Sequence, residues 1–241
     1  MQKILNMLPL RLTPHSDRTA ILQAYSLEMG AVSFAVPAGA GPGAARRRAL
    51  LQPLTPLEVE ASLRPGRELH TFREPRARVQ IHTILMSPER SAVAMFLAEV
   101  LQNLLRQAEP DANTYIYIER AVERLNDPQT RVGNFALMFL RGLSTMLGIE
   151  PDLTDYRPGM LFDMIDGRFR LSAALHGHSL SASASAAAAR LLRMTWENQG
   201  RFRFSGAERR EALERILEYY TIHYAPLTGL KSPAVLHALL R

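Results

Sequence analysis

TAILQAYSLEMGAVSFAV, residues 19–36, decides how the N-terminal part of the chain is read. Two short apolar segments meet at Met29-Gly30, a break of the kind that separates strands. Working outward, KILNMLPLRL (3–12) precedes them, and a run of glycine, alanine and arginine follows. LLQPLTPLEVEASL (50–63), a turn at RPGR (64–67) and ELHTFREPRARVQI (68–81) complete the set. Five short strands with turns between them fit a small barrel or a sandwich. Pro53 and Pro56 are tolerated only at an edge or bulge, so the fourth strand is expected to be irregular.

From about residue 83 the texture becomes helical. AVAMFLAEVLQNLL (92–105) carries apolar residues at helical spacing and is closed by Pro110. NTYIYIERAVERLN (113–126), with Asn113 as its cap, NFALMFLRGLSTMLG (134–148) and AERREALERILEYYTIHY (207–224) repeat the pattern. Gly148 followed by Pro151 suits a helix stop. The expected organisation is therefore α+β, with a β domain over 1–82 and an all-α helical domain over 83–241.

The formal charge is +6, and only Lys3 and Lys231 among the cations are lysines. Residues 1–82 hold eleven Lys/Arg against six Asp/Glu, a net of +5, and residues 83–241 a net of +1. A basic barrel half and a near-neutral helical half place the expected nucleic-acid surface on the barrel. No stretch approaches the roughly 20 apolar residues needed to span a bilayer, so a membrane partner is not expected. The chain has no cysteine, which excludes disulfides and thiolate metal sites. With no signal-peptide pattern at the N-terminus, the expected location is cytoplasmic.

Enzymatic signatures are absent from the sequence: it has no phosphate-binding P-loop and no GxSxG elbow. Asp163 and Asp166, three apart, read as a turn before the strand-like GRFRL rather than as an acid–base pair. His176 and His178 lack the third and fourth ligands that zinc needs and read as a polar loop. No catalytic residue, metal or cofactor is expected.

Several segments, taken in order, resemble the RecO family of recombination mediators. They are GAVSFAV (30–36), the arginine run followed by LLQPLTPLEVE, GRELHTFRE (66–74) and SPERSAVAMFLAEVL (87–101). VGNFALMFLRGLSTMLGIEPD (132–152), FDMIDGRF (162–169) and YYTIHYAPLTGLKSPAVLHALL (219–240) continue the match over nearly the whole chain. The resemblance implies an OB-fold followed by a helical domain and a non-catalytic role in DNA repair and recombination. That role is to bind single- and double-stranded DNA, anneal complementary strands, and help load RecA onto strands coated with single-stranded DNA-binding protein (SSB). RecR and the acidic C-terminal tail of SSB are the partners it implies, with RecA served indirectly. Many members carry a four-cysteine zinc module; here the corresponding region reads HGHSLSASASAAAA and the cysteines are missing.

An OB-fold holds single strands through a basic groove and aromatic rings that stack on bases. Arg46, Arg47 and Arg48, on an expected flexible loop, are the first candidates for DNA contact. Tyr25 and Phe34 are candidate stacking rings, and Arg76 and Arg78 lie near the domain junction. For the SSB tail an apolar groove rimmed by arginine is wanted, with Arg131 and Arg141 as candidates near the buried helix NFALMFLRGLSTML. Tyr219, Tyr220 and Tyr224 are expected to pack against the last helix. The rival readings are a general OB-fold RNA-binding protein and a protein-binding adaptor.

Overall fold

The structure, a computed structural model, describes residues 1–39 and 42–240. Strands β1 (Gln2–Ser16), β2 (Thr19–Ser26), β3 (Gly30–Pro37), β4 (Leu57–Ser62) and β5 (Leu69–Ala77) close into a barrel in the order β1-β2-β3-β5-β4. Closure depends on the length of β1. Its first part, Gln2–Met7, pairs with β4, and the stretch from Met7 to Ser16 pairs with β2. Register shifts at Pro9/Arg11 and Pro14/Ser16 let that strand bend around the barrel. β3 and β5 meet in parallel at Ser33↔Leu69 and Phe34↔His70. Helix α1 (Pro42–Leu50) lies between β3 and β4 in sequence, which completes the anticipated OB-fold arrangement.

Alternation fills the interior. On β3, Val32, Phe34 and Val36 are buried while Ala31, Ser33 and Ala35 face outward. The inward set joins Leu5, Met7, Leu22, Leu57 and Val59 in one core. Each large side chain removed from water there contributes about 1.5–3 kcal/mol. Pro53 and Pro56 both precede the fourth strand, and its pairing with β5 shifts register between Glu58 and Glu60. Leu54, between the two prolines, takes φ 62° and donates its N–H to the Pro9 carbonyl at 2.7 Å.

Strand gives way to helix at residue 82, yet the compact unit built on the barrel runs on to Thr130. It includes α2 (His82–Met86), α3 (Pro88–Leu104) and α4 (Ala112–Asn126). Asp111 rather than Asn113 caps α4: its carboxylate accepts the N–H groups of Asn113 and Thr114, both at 3.1 Å. The segment between α3 and α4 is fastened to the barrel. Ala31 N–H donates to the Ala108 carbonyl at 2.9 Å, and the Tyr25 hydroxyl donates to the Glu109 carbonyl and accepts from the Asp111 N–H. Gly30 (φ +65°) makes this approach possible, since a Cβ there would lie 2.2 Å from the Ala108 oxygen. Arg90 is buried within the same unit. Its guanidinium donates to the carbonyls of Leu125, Pro128 and Thr130 and so closes the C-terminal end of α4.

The second compact unit, Arg131–Arg241, holds α5 (Phe135–Met146), β6 (Leu161–Asp163), β7 (Arg168–Arg170), α6 (Ala182–Leu192), α7 (Gly206–His223) and α8 (Ser232–Leu239). It is helical but not all-α, because β6 and β7 form a two-stranded hairpin around the Asp163–Asp166 turn. The alanine-rich run SASASAAAA forms α6, capped by Ser181. Residues 135–140 of α5 are all buried, as the apolar sequence requires. Tyr219 and Tyr220 find partners in β6 and α5. Tyr219 lies against Phe162 of β6, with ring centroids 5.9 Å apart, and Tyr220 donates its hydroxyl to the Leu140 carbonyl at 2.6 Å. Tyr224 is substantially exposed.

Candidate nucleic-acid interface

Pro42 opens a helix, not a flexible loop, and alanine and arginine carry it forward. The helical turn then separates three arginines that look equivalent in sequence. Successive residues differ by about 100° around the axis, so neighbours cannot share a face. Ala44 and Leu51 are buried toward the barrel, and Arg47 stands on their side of the helix. Its Nη1 donates to the Pro37 carbonyl at 3.2 Å. Arg46 and Arg48 are exposed, and their guanidinium groups have no hydrogen-bond or ionic partner among the described residues. The β1–β2 turn joins this end of the barrel, because the Arg18 carbonyl accepts the Ala38 N–H at 3.0 Å. Arg18 therefore belongs beside α1. As a lone arginine in a turn, it carried no signal in the sequence.

The candidate aromatic rings are not available for stacking. Phe34 is fully buried, edge-on to Phe72 with centroids 5.1 Å apart, because its β3 position points into the barrel. Tyr25 faces outward on β2 but is covered by the segment it helps to fasten, leaving it 1 % exposed. Arg76 and Arg78 are already paired, Arg76 with Glu74 and Arg78 with Glu119, each at 2.7 Å. A phosphate would have to compete with those carboxylates. Of the predicted DNA contacts, the structure thus leaves Arg46 and Arg48 free.

In the second unit Arg131 is exposed and has no partner among the described residues, while Arg141 is half-buried and pairs with Glu150 at 3.1 Å. A groove of about 520 Å³ runs between α5, α7 and α8 from Gly133, with Ala136, Leu137 and Leu236 among its apolar lining. Two cation-capable groups each leave an atom unsatisfied there: Arg209 Nε and His237 Nε2 are buried with no hydrogen-bond partner among the described residues. Burial, followed by the Arg210 charge, lowers the His237 pKa and favours its neutral form. Neither residue stands out in the sequence, because only the facing of α7 and α8 gives them a common groove.

His176 does not face His178 across a metal site. It contacts Asp163, which is 1 % exposed and also accepts the N–H groups of Ile165 and Asp166 and the Nε–H of Arg170. Burial alone would raise the Asp163 pKa, but the backbone N–H groups of Asp166 and Ile165 and then the His176 ring outweigh it and hold it below the usual value. Among the described residues no group of three or more His, Cys, Asp or Glu side chains is placed to hold a metal ion. No helix among them is long and apolar enough to cross a membrane.

Comparison with known families agrees with this two-part architecture. Residues 5–78 match the family model for the N terminus of recombination protein O, and residues 86–233 match the model for its C terminus. The chain belongs to the RecO family. A DNA repair protein RecO from Porphyromonas gingivalis is 34% identical over 232 residues, covering 94% of both chains. RecO of Phocaeicola vulgatus is 33% identical over 225 residues, covering 93% of each, and RecO of Bacteroides fragilis is 31% identical over 231 residues, covering 95% of this chain and 96% of its own. These relatives match over both parts, so the RecO assignment rests on the barrel and the helical region together.

Proposed function

We propose that this RecO-family chain acts in DNA repair as a non-enzymatic, cytoplasmic recombination mediator. It binds single- and double-stranded DNA on its barrel, anneals complementary strands, and helps load RecA on SSB-coated single strands together with RecR. The observation that carries the DNA reading is the pair of free guanidinium groups, Arg46 and Arg48, exposed on the two flanks of α1 beside a closed OB barrel. Arginine at such a place can engage phosphate oxygens through a planar fork of donors. The acidic SSB tail would take the groove of α5, α7 and α8, where apolar lining and unsatisfied donors suit a peptide with an apolar end and a carboxylate. Arg131, free of partners, is the cation offered to its acidic residues.

Single-strand affinity measured against salt concentration tests the DNA reading. Replacing Arg46 and Arg48 together by alanine should lower the salt slope by about 1.4, at about 0.7 for each phosphate no longer neutralised. Arg47→Ala should leave the slope unchanged, because that side chain is spent on Pro37. Equal slopes for the wild type and the double variant would move the DNA site elsewhere. In parallel, wild type should accelerate annealing of complementary oligonucleotides with and without SSB, and Arg131→Glu should weaken tail-peptide binding without changing affinity for bare strands.

A further inference from the structure

The outer face of the barrel carries a second polar feature, away from α1. Arg11, Gln23 and Ser33 stand opposite one another across β1, β2 and β3, and each projects outward between buried or half-buried neighbours. This row runs into a cleft of about 460 Å³. Gln23 and Ser33 are on its floor, Gln102, Arg106 and Gln107 come from the end of α3 and the segment beyond, and His70 comes from the start of β5. The three glutamine amides and the Arg106 guanidinium have no hydrogen-bond partner among the described residues. The wall is held in place. Ala31 N–H on Ala108 O and the two bonds of the Tyr25 hydroxyl fix the segment against the strands.

We infer that this cleft receives an unpaired base of a bound single strand. The inference rests on the DNA-binding reading above and adds to it the place where a base, rather than a phosphate, is held. An amide carries both a donor and an acceptor, as base edges do, and three free amides around one cleft can satisfy such an edge. Charge decides against a phosphate at the centre, because Glu68 and Glu109 share the lining with Arg106. Arg11, exposed at the outer end of the row, is placed for the backbone instead. A peptide strand finds little edge to extend here, since β5 pairs with β3 at Ser33 and Phe34 and the Ala31 N–H is taken by Ala108. A base in a duplex presents its edge to its partner, so the cleft also selects single strands.

The test uses the full chain and an oligonucleotide carrying one 2-aminopurine, whose fluorescence rises when the base leaves its stack. Two variants are compared with wild type: Gln23→Ala/Gln102→Ala/Gln107→Ala, which removes the amides, and Ser33→Trp, which fills the floor. Both should bind the single strand about tenfold more weakly, as loss of several modest hydrogen bonds implies, and both should lose the fluorescence rise. Duplex affinity and the salt slope should stay as in wild type, which separates this site from Arg46 and Arg48. Wild-type affinity and fluorescence in both variants would overturn the inference while leaving the DNA reading intact. Failure of the wild type to bind any single strand would sink the DNA reading itself. Saturable adenosine binding that the oligonucleotide does not displace would also overturn the inference, because the cleft would then serve a free nucleoside.

Discussion

Arg90 shows how much of this chain's positive charge is structural, and replacing it by methionine measures that share. Methionine keeps much of the apolar stem but removes every donor. Three carbonyls then lose partners, at 2.5 Å for Leu125, 3.1 Å for Pro128 and 2.9 Å for Thr130. A hydrogen bond to a charged group contributes about 1.5–3 kcal/mol. The Pro128 and Thr130 carbonyls belong to exposed and half-exposed residues and can take water instead. Leu125 is buried, so its carbonyl at the end of α4 has no such recourse. The expected loss is therefore about 3 kcal/mol rather than the full sum of three bonds. At about 2–4 °C per kcal/mol for a chain of this size, the melting temperature should fall by about 6–12 °C. Arg90→Lys, which keeps a charge and can reach some of the carbonyls, should lose about half as much. Thermal unfolding followed by circular dichroism reads both variants. A methionine variant that melts within a degree of wild type would mean that the buried guanidinium contributes nothing net.

Gly30→Ala should push the α3–α4 segment off the barrel, since the new Cβ would meet the Ala108 oxygen and the φ of +65° strains any other residue; strain of about 1–3 kcal/mol is expected, and faster hydrogen exchange at the Ala31 amide would report it. Asp163→Asn should destabilise the β6–β7 hairpin at neutral pH. The lowered carboxyl stabilises the fold above the unfolded value of about 3.9 and loses that contribution as the pH falls through its lower folded value, so the melting difference between wild type and variant should shrink below about pH 4. A difference independent of pH would assign the effect to shape rather than to charge.

The strands were legible because the barrel imposes a period of two on sequences such as AVSFAV, and the helices because burial imposes its own spacing on AVAMFLAEVL. What stayed hidden was every feature that depends on a distant partner. Tyr25 reads as an outward aromatic and is one, but nothing in TAILQAYS shows that residues 108–111 will cover it. Three consecutive arginines read as one cluster until a helical turn sends Arg47 to Pro37. Arg78 looks free because its carboxylate, Glu119, lies forty-one residues away, whereas Glu74, the partner of Arg76, is only two residues off on the same strand. The cleft residues Gln23, Gln102 and Gln107 carry no charge or motif, and only the packing of α3 beside the barrel brings them together.

The fastening of residues 108–111 to β2 and β3 also governs where the gene can be cut. A fragment ending at residue 82 would contain all five strands, yet it would strip the cover from the Tyr25 ring and leave the Ala31 N–H to water. It would lose the partners of the Tyr25 hydroxyl in the same stroke and present a fresh apolar patch on β2, a surface that invites self-association. A fragment ending at Thr130 severs none of these bonds and keeps Arg90 on all three of its carbonyls. Expressed side by side, the longer piece should stay in solution and the shorter one should aggregate, so that the smallest heritable module containing this barrel includes three helices that no strand pattern announces.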